Sequence, residues 1–224
     1  MKVIKAVLFD LDGTLLDRDT TIRNFIEDQY DRFRHYLYTV PKRNYVNRFI
    51  ELDQHGYVWK DKVYKELIEE YHFAELTWES MLEDYLLHVS EHAVAYSGLN
   101  EMIKTLKRSG YHLGIITNGK SVLQMNMIEV LNIKSYFDVI LISESEGIKK
   151  PDPLIFQKAL ISLKVRPNES IYIGDHPKND VQAAMSIGMQ GIWKRNNSTA
   201  IIDADAVIDN LAEIPRIIEN ISHP

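Results

Sequence analysis

The chain has no cysteine in its 224 residues, so disulfides, thiolate metal sites and a cysteine nucleophile are excluded from the outset. It also lacks any apolar run near the roughly 20 residues that a membrane-spanning helix requires. The N-terminus, MKVIKAVLFD, reaches an acidic residue by position 10, too early for a secretory signal. Positive charge is in deficit. Lys and Arg number 26 against 32 Asp and Glu, and the net charge of −6 excludes nucleic-acid binding driven by bulk phosphate attraction. There is no low-complexity tract and no internal repeat. These absences lead us to expect a soluble, cytoplasmic globular protein with neither nucleic acid nor membrane as partner.

What is present is a set of short apolar runs. Val3–Phe9 is almost entirely apolar and ends in a carboxylate and a glycine turn, the form of a strand buried on both faces. Tyr111–Thr117, Val139–Ser143 and Ser170–Gly174 share that form, with Gly191–Trp193 as a weaker fifth. Segments with helical spacing lie between them, at about 100–109, 121–132, 153–163 and 178–187. Strands alternating with helices predict an α/β fold built on an open parallel sheet.

One stretch breaks the alternation. Residues 20–91 offer no strand and four helical patterns, at 20–38, 42–54, 60–72 and 78–90. Eight of the 12 tyrosines fall in this block, which reads as a helical module inserted after the first strand. We place the α/β core at 1–17 and 96–224 and the insert at 18–95. The insert's charges are uneven: residues 32–50 carry Arg32, Arg34, Lys42, Arg43 and Arg48 with no acid among them. Such a run is either a set of solvated helix faces or a surface for an anionic substrate, met by Lys42 and Arg43.

Four constellations carry chemistry, each at the end of an expected strand, where open α/β sheets bind ligands. Asp10-Leu11-Asp12-Gly13-Thr14 offers two carboxylates, one able to act as nucleophile and the other as proton donor, unless the segment is only a capped Asp-Gly turn. Asp10 is expected to be ionised at neutral pH without help. Thr117-Asn118-Gly119 combines a hydroxyl, an amide and N–H groups leading into a helix, which suits phosphate, though Asn-Gly is also a plain turn signal. Lys149-Lys150-Pro151-Asp152-Pro153 sets a compact positive charge before a proline, and doubles as a helix-entry loop. Gly174-Asp175-His176-Pro177-Lys178-Asn179-Asp180 brings two further carboxylates. Clustered carboxylates beside a phosphate repel one another unless a hard cation stands among them, and oxygen ligands favour Mg²⁺. Asp180 can also cap the helix that follows, and His176 is expected to lie outside the chemistry.

In this order, the four segments resemble the motifs of the haloacid dehalogenase-like hydrolase superfamily: DLDGT, ITN, KP and GDHPKND. The resemblance spans nearly the whole chain, with Tyr136-Phe137-Asp138, Ile155-Phe156 and Gly188-Met189 also in place. The helical block looks like the family's cap inserted between the first and second motifs. The implied core is a three-layer, Rossmann-like α/β sandwich with strand order 5-4-1-2-3.

The resemblance also implies roles. Asp10 would attack phosphorus; Asp12 would protonate the leaving oxygen and then activate water against an aspartyl-phosphate. Thr117, Asn118 and Lys150 would hold the phosphoryl oxygens, Lys150 fitting the pattern better than Lys149. Asp10, the backbone carbonyl of Asp12, and Asp175 would bind Mg²⁺, with Asp180 in support. The implied activity is a Mg²⁺-dependent phosphatase acting on a small phosphorylated metabolite. A proton donor at Asp12 argues against the dehalogenase branch. A sugar phosphomutase would use the same groups, and a non-catalytic binding or regulatory module is the alternative of a different class. Thr117-Asn118-Gly119 followed by Gln124 looks like a subgroup containing nucleotidases, and the aromatic-rich insert could stack a nucleobase. A 5′-nucleotidase is therefore the finer expectation.

Overall fold

A computed structural model describes residues 3–73, 75–196, 199 and 201–222. The chain divides into two compact units, Met1–Asp17 with Ala95–Pro224, and Arg18–Val94. Ala95 falls with the first unit because it pairs antiparallel with Leu16, next to a bond from the Tyr96 N–H to Leu15 O of 3.0 Å.

The first unit is a three-layer α/β sandwich. Its sheet contains β1 (Ala6–Phe9), β2 (His112–Thr117), β3 (Val139–Ile142), β4 (Ser170–Gly174), β5 (Gln190–Lys194) and β6 (Ala206–Ile208). The order is β3-β2-β1-β4-β5-β6 and every pairing is parallel. This is the expected five-strand order with one strand added beside β5. That sixth strand escapes a pattern reading because three residues are too few to show a period. The third strand ends at Ile142, and Ser143 opens a single helical turn.

Burial explains the apolar runs. All four residues of β1 and all five of β4 are buried. Alternation sends Ala6, Leu8, Ile116, Leu141 and Tyr172 to one face, where they pack with Ile155, Phe156, Ala159, Leu160 and Leu163 of the helix Pro153–Leu163. Asp152 caps that helix by accepting from the Leu154 N–H at 2.9 Å, so the helix-entry reading of this loop is also correct. Leu99, Met102, Ile103 and Leu106 form the buried stripe of the helix Leu99–Arg108.

Among its described residues the second unit contains no strand, and Arg18–Arg32, Arg34–Leu37, Lys42–Asp53, Lys60–Tyr71 and Trp78–His88 are its α-helices. The expected helix over 20–38 breaks at Phe33. Its aromatics make its core. Phe25 meets Tyr85 at 5.4 Å and Phe49 meets Tyr64 at 5.4 Å between ring centroids, while Tyr30 and Tyr45 stand 5.7 Å apart. Buried Gln29 is fully used, donating to Met81 O at 3.0 Å and Asp84 at 2.8 Å and accepting from the Tyr64 hydroxyl at 2.9 Å. The uneven charge run is paired across helices: Lys42 with Asp31 at 2.7 Å, Arg48 with Glu70 at 2.8 Å, and Arg32 with Asp84 at 2.7 Å. Lys42 and Arg48 therefore belong to solvated helix faces, and Arg43 is exposed. Among the described residues no helix is long and apolar enough to cross a membrane.

One ion pair of this unit lies inside it. Lys60 and Asp53 are both 2% exposed and in direct contact, and Arg18 reaches the other Asp53 oxygen at 2.8 Å. Removing one partner of a buried pair leaves a charge that burial penalises. Asp53→Ala should destabilise the protein by about 3–5 kcal/mol, and adding Lys60→Met should recover more than half of that loss. Denaturant unfolding of the single and double variants checks this; additive losses would show that the two groups are not coupled.

Candidate active site

The site is assembled from strand ends of the α/β unit. The register sets Phe9 opposite both Ile115 and Ile173, so Asp10 leaves β1 between the ends of β2 and β4. Its N–H donates to Ile173 O at 2.9 Å, extending the ladder by one bond. Asp175 leaves β4 one residue past Gly174, and the Trp193 indole holds its carbonyl at 2.8 Å. Asp180 returns on a wide helical turn, Pro177–Gln182, to lie against that same strand end. A Cβ on Gly174 would collide with the Asp180 side chain, so only glycine permits this approach.

Lys150 occupies the centre. The residue is 3% exposed; its ammonium stands 2.7 Å from Asp10 Oδ1 and 2.7 Å from Asp180 Oδ1, and donates to the Tyr172 hydroxyl at 3.0 Å. Tyr172 donates in turn to Ile116 O at 2.9 Å. Lys149 is exposed, which decides between the two lysines. Asn118 grips the backbone of Lys150 from both sides: its Oδ1 accepts from the Lys150 N–H and its Nδ2 donates to the Lys150 carbonyl, each at 2.9 Å. Its side-chain amide thereby positions the lysine loop, with the second Nδ2 hydrogen not used in this clamp. Thr117 is 1% exposed and its hydroxyl has no hydrogen-bond partner among the described residues, as is also true of Thr14. An orphaned buried hydroxyl costs about 1–3 kcal/mol, so Thr117 is a donor waiting for an acceptor.

Asp12 stands apart from the lysine. It accepts a hydrogen bond from Gln124 Nε2 at 2.7 Å. His176 caps the turn after β4, its Nδ1 accepting from the Lys178 and Asn179 N–H groups at 3.1 Å. Nδ1 of its ring is therefore a structural acceptor. Asp180 does not cap the helix that follows but lies within this turn, accepting from the His176 N–H at 3.0 Å while its other oxygen meets Lys150.

The electrostatics correct one expectation. Burial pushes the Asp10 carboxyl well above the usual carboxylate range; Lys150 pulls it down, and Asp180 and Asp175 push it up again. Ionisation of Asp10 thus depends on compensating positive charge. Burial and the neighbouring Asp180 raise Asp175 to about 7. Burial disfavours the Lys150 charge too, but Asp10 and Asp180 outweigh this and hold its ammonium well above the ordinary lysine range. One oxygen from each of Asp10, Asp175 and Asp180 lies within 4.8 Å of the others; Lys150 pairs with the first and the last, and the charge of Lys194 acts on Asp175. That donor set is hard, all-oxygen and short of positive charge, and it fits a divalent cation. Asp180 stands in this cluster as an equal, where the expectation gave it only support.

Tyr172 and Asn196 were not singled out in the sequence. Tyr172 sits in an apolar strand, and a buried phenol that must find a partner is the signal available for it. Asn196 donates to Gly13 O at 2.7 Å and to Asp175 Oδ2 at 3.3 Å, joining the first and fourth motifs; nothing in its local sequence marks it.

The sequence matches the family model of haloacid dehalogenase-like hydrolases over residues 7–194. It is 31% identical to a glyceraldehyde 3-phosphate phosphatase of Pyrococcus furiosus, covering 98% of this chain and 95% of that protein. It is 26% identical to a phosphoglycolate phosphatase of Nitrosospira multiformis over 98% and 97% of the two chains. The crystal structure of a phosphatase from Thermococcus onnurineus superposes with a TM-score of 0.70 at 30% identity, over 96% of this chain and 98% of that one.

The raised carboxyl carries a stability cost that can be measured. Asp175 titrates near 7 in the folded protein against an ordinary 3.8, so the folded state holds its proton more tightly than the unfolded state does. Stability without metal therefore falls as pH rises through that window, and the cost is complete above it. With a chelator present, Asp175→Asn should melt above the wild type at pH 8, by on the order of 2 kcal/mol or about 4–8 °C, and the gap should close toward pH 5. Excess Mg²⁺ should stabilise the wild type and leave the variant nearly unchanged. Thermal melts at the two pH values decide it; a variant less stable than wild type at pH 8 would contradict the electrostatic reading.

Proposed function

The chain belongs to the haloacid dehalogenase-like hydrolases, and from that membership we propose that it transfers the phosphoryl group of its substrate to Asp10 and then to water, with Mg²⁺ as cofactor. It is a phosphoric monoester hydrolase for a small phosphorylated metabolite. The observation that carries the mechanism is the carboxylate cluster around one buried ammonium, Asp10, Asp175 and Asp180 about Lys150.

The steps balance on residues of this chain. A carboxylate oxygen of Asp10 attacks phosphorus, and the bond from phosphorus to the leaving oxygen breaks as Asp12 delivers a proton to that oxygen. Water then attacks the phosphorus of the aspartyl-phosphate, Asp12 takes the water's proton, and the bond to Asp10 breaks to release inorganic phosphate. Lys150 and the Thr117 hydroxyl supply the charge and the donor for the equatorial phosphoryl oxygens, since phosphoryl transfer is mostly positioning and neutralisation. Asp10, Asp175 and Asp180, with the carbonyl of Asp12, would hold Mg²⁺, which when bound supplies the positive charge that the carboxylates and the phosphoryl group lack.

For the substrate, the names of the relatives favour short-chain phosphates over nucleotides. The support that aromatic richness lent to a 5′-nucleotidase weakens, because Phe25, Tyr45, Phe49 and Tyr64 are buried in the helical unit. Selection among small substrates we assign to that unit, Arg18–Val94, on family membership.

Two variants test the chemistry. Asp10→Asn should abolish hydrolysis of 4-nitrophenyl phosphate with the circular dichroism spectrum retained, and chelation should silence the wild type until Mg²⁺ is restored; activity near wild type in the variant would sink the mechanism. Asp12→Ala should reduce kcat/KM for an alkyl phosphate about 100-fold or more while sparing the aryl ester, because an aryloxide leaves with little protonation. Equal losses on both esters would remove Asp12 from acid catalysis.

A further inference from the structure

We infer that Gln124 is a positioning residue for Asp12, one that fixes which carboxyl oxygen carries the catalytic proton; this rests on the phosphatase mechanism above. Gln124 lies on the helix Ser121–Val130, is 7% exposed, and is anchored by its own N–H to Lys120 O at 3.0 Å. Its Nε2 meets two oxygens, Asp12 Oδ2 at 2.7 Å and Asn118 O at 3.0 Å. A carboxylate oxygen and a backbone carbonyl can only accept here, so the amide must turn its nitrogen toward them, and both of its hydrogens are committed. The bond to Asp12 is the shorter, as expected for a charged acceptor.

The path of this side chain is built into the second motif. A Cβ at Gly119, whose φ is +152°, would lie 2.6 Å from Gln124 Nε2. The glycine of Asn118-Gly119 is therefore more than a turn residue, because its missing side chain leaves the space that the amide crosses. The third partner follows: Asn118 holds the Lys150 backbone from both sides at 2.9 Å. Acid, glutamine, asparagine and lysine loop form one continuous hydrogen-bonded chain.

The chemical consequence lies in where a proton can sit. The unprotonated oxygen of a carboxyl group is the better acceptor, so the Gln124 N–H favours Asp12 with its proton on Oδ1 and Oδ2 kept as the acceptor. The same oxygen, Oδ1, then gives the proton to the leaving group in the first step and receives one from water in the second. A carboxyl free to rotate would divide its time between two oxygens and many directions, and acid catalysis is sensitive to placement at this scale.

The test compares kcat/KM for an alkyl phosphate and for 4-nitrophenyl phosphate in Gln124→Leu and Gln124→Glu, alone and combined with Asp12→Ala. Each single variant should lose about 10- to 100-fold on the alkyl ester, the range for a hydrogen bond to a charged group, and only a few-fold on the aryl ester. In the Asp12→Ala background neither should cost more than a few-fold, because the group they position is gone. Gln124→Glu keeps the size and shape of the side chain, so it carries the test if Gln124→Leu fails to fold. Equal losses on both esters, or full losses on top of Asp12→Ala, would assign Gln124 a merely structural role and overturn the inference. If Asp12→Ala discriminates between the esters and the Gln124 variants do not, the inference alone fails. If Asp12→Ala does not discriminate, the mechanism falls and takes the inference with it.

Discussion

A single ammonium buried among carboxylates constrains the catalytic unit. Lys150 is 3% exposed and within 2.7 Å of Asp10 and Asp180, so its charge is supportable only while those carboxylates stay in place. The dependence runs both ways, because burial drives the Asp10 carboxyl upward and Lys150 is what pulls it back. Breaking such a buried pair leaves an uncompensated charge, which is why the end of β1, the turn after β4 and the loop before Pro153 are fastened to one another. Tyr172 and Asn118 serve the same end, the first by accepting from the ammonium and the second by clamping the backbone that carries it.

That arrangement is incomplete in charge. Three clustered carboxylates, with Lys150 between Asp10 and Asp180 and Lys194 acting on Asp175, leave a site that favours additional positive charge and an Asp10 carboxyl whose ionisation depends on it. The orphaned Thr117 hydroxyl is the complementary feature, a donor without an acceptor among the described residues. A protein selected for stability alone would neutralise the first and satisfy the second. Retaining both is the usual signature of a site that sacrifices stability for chemistry.

The helical unit uses the same residue types to other ends. Its tyrosines and phenylalanines pack against one another, and its arginines and lysines pair with acids on neighbouring helices. Most of those pairs are partly exposed and each contributes little, whereas the Lys60–Asp53 contact lies in the interior and couples two helices and Arg18. A run of basic residues with no acid in it therefore says little about a ligand, because pairing partners come from elsewhere in the chain.

The parallel α/β sheet, the helical insertion and the four motif segments were all legible in the order of residues. Each is written in a local signal: apolar runs of strand length, a 3.6-residue period, or a carboxylate and glycine at a strand end. Asp10, Lys150, Asp175 and Asp180, singled out in the same way, come together in the fold. How these groups divide their work came from the folded arrangement. Folding set the Asn118 amide against the lysine backbone, brought Asp180 into the carboxylate cluster, and made Asp10 dependent on nearby positive charge. It also added β6 at the sheet edge and placed Tyr172, Gln124 and Asn196 against Lys150, Asp12 and Asp175. The reason is physical: strand and helix patterns depend on near neighbours in sequence, whereas desolvation, hydrogen-bond partnership and charge balance depend on neighbours in space. Asp12 and Gln124 are 112 positions apart in the chain and 2.7 Å apart in the fold.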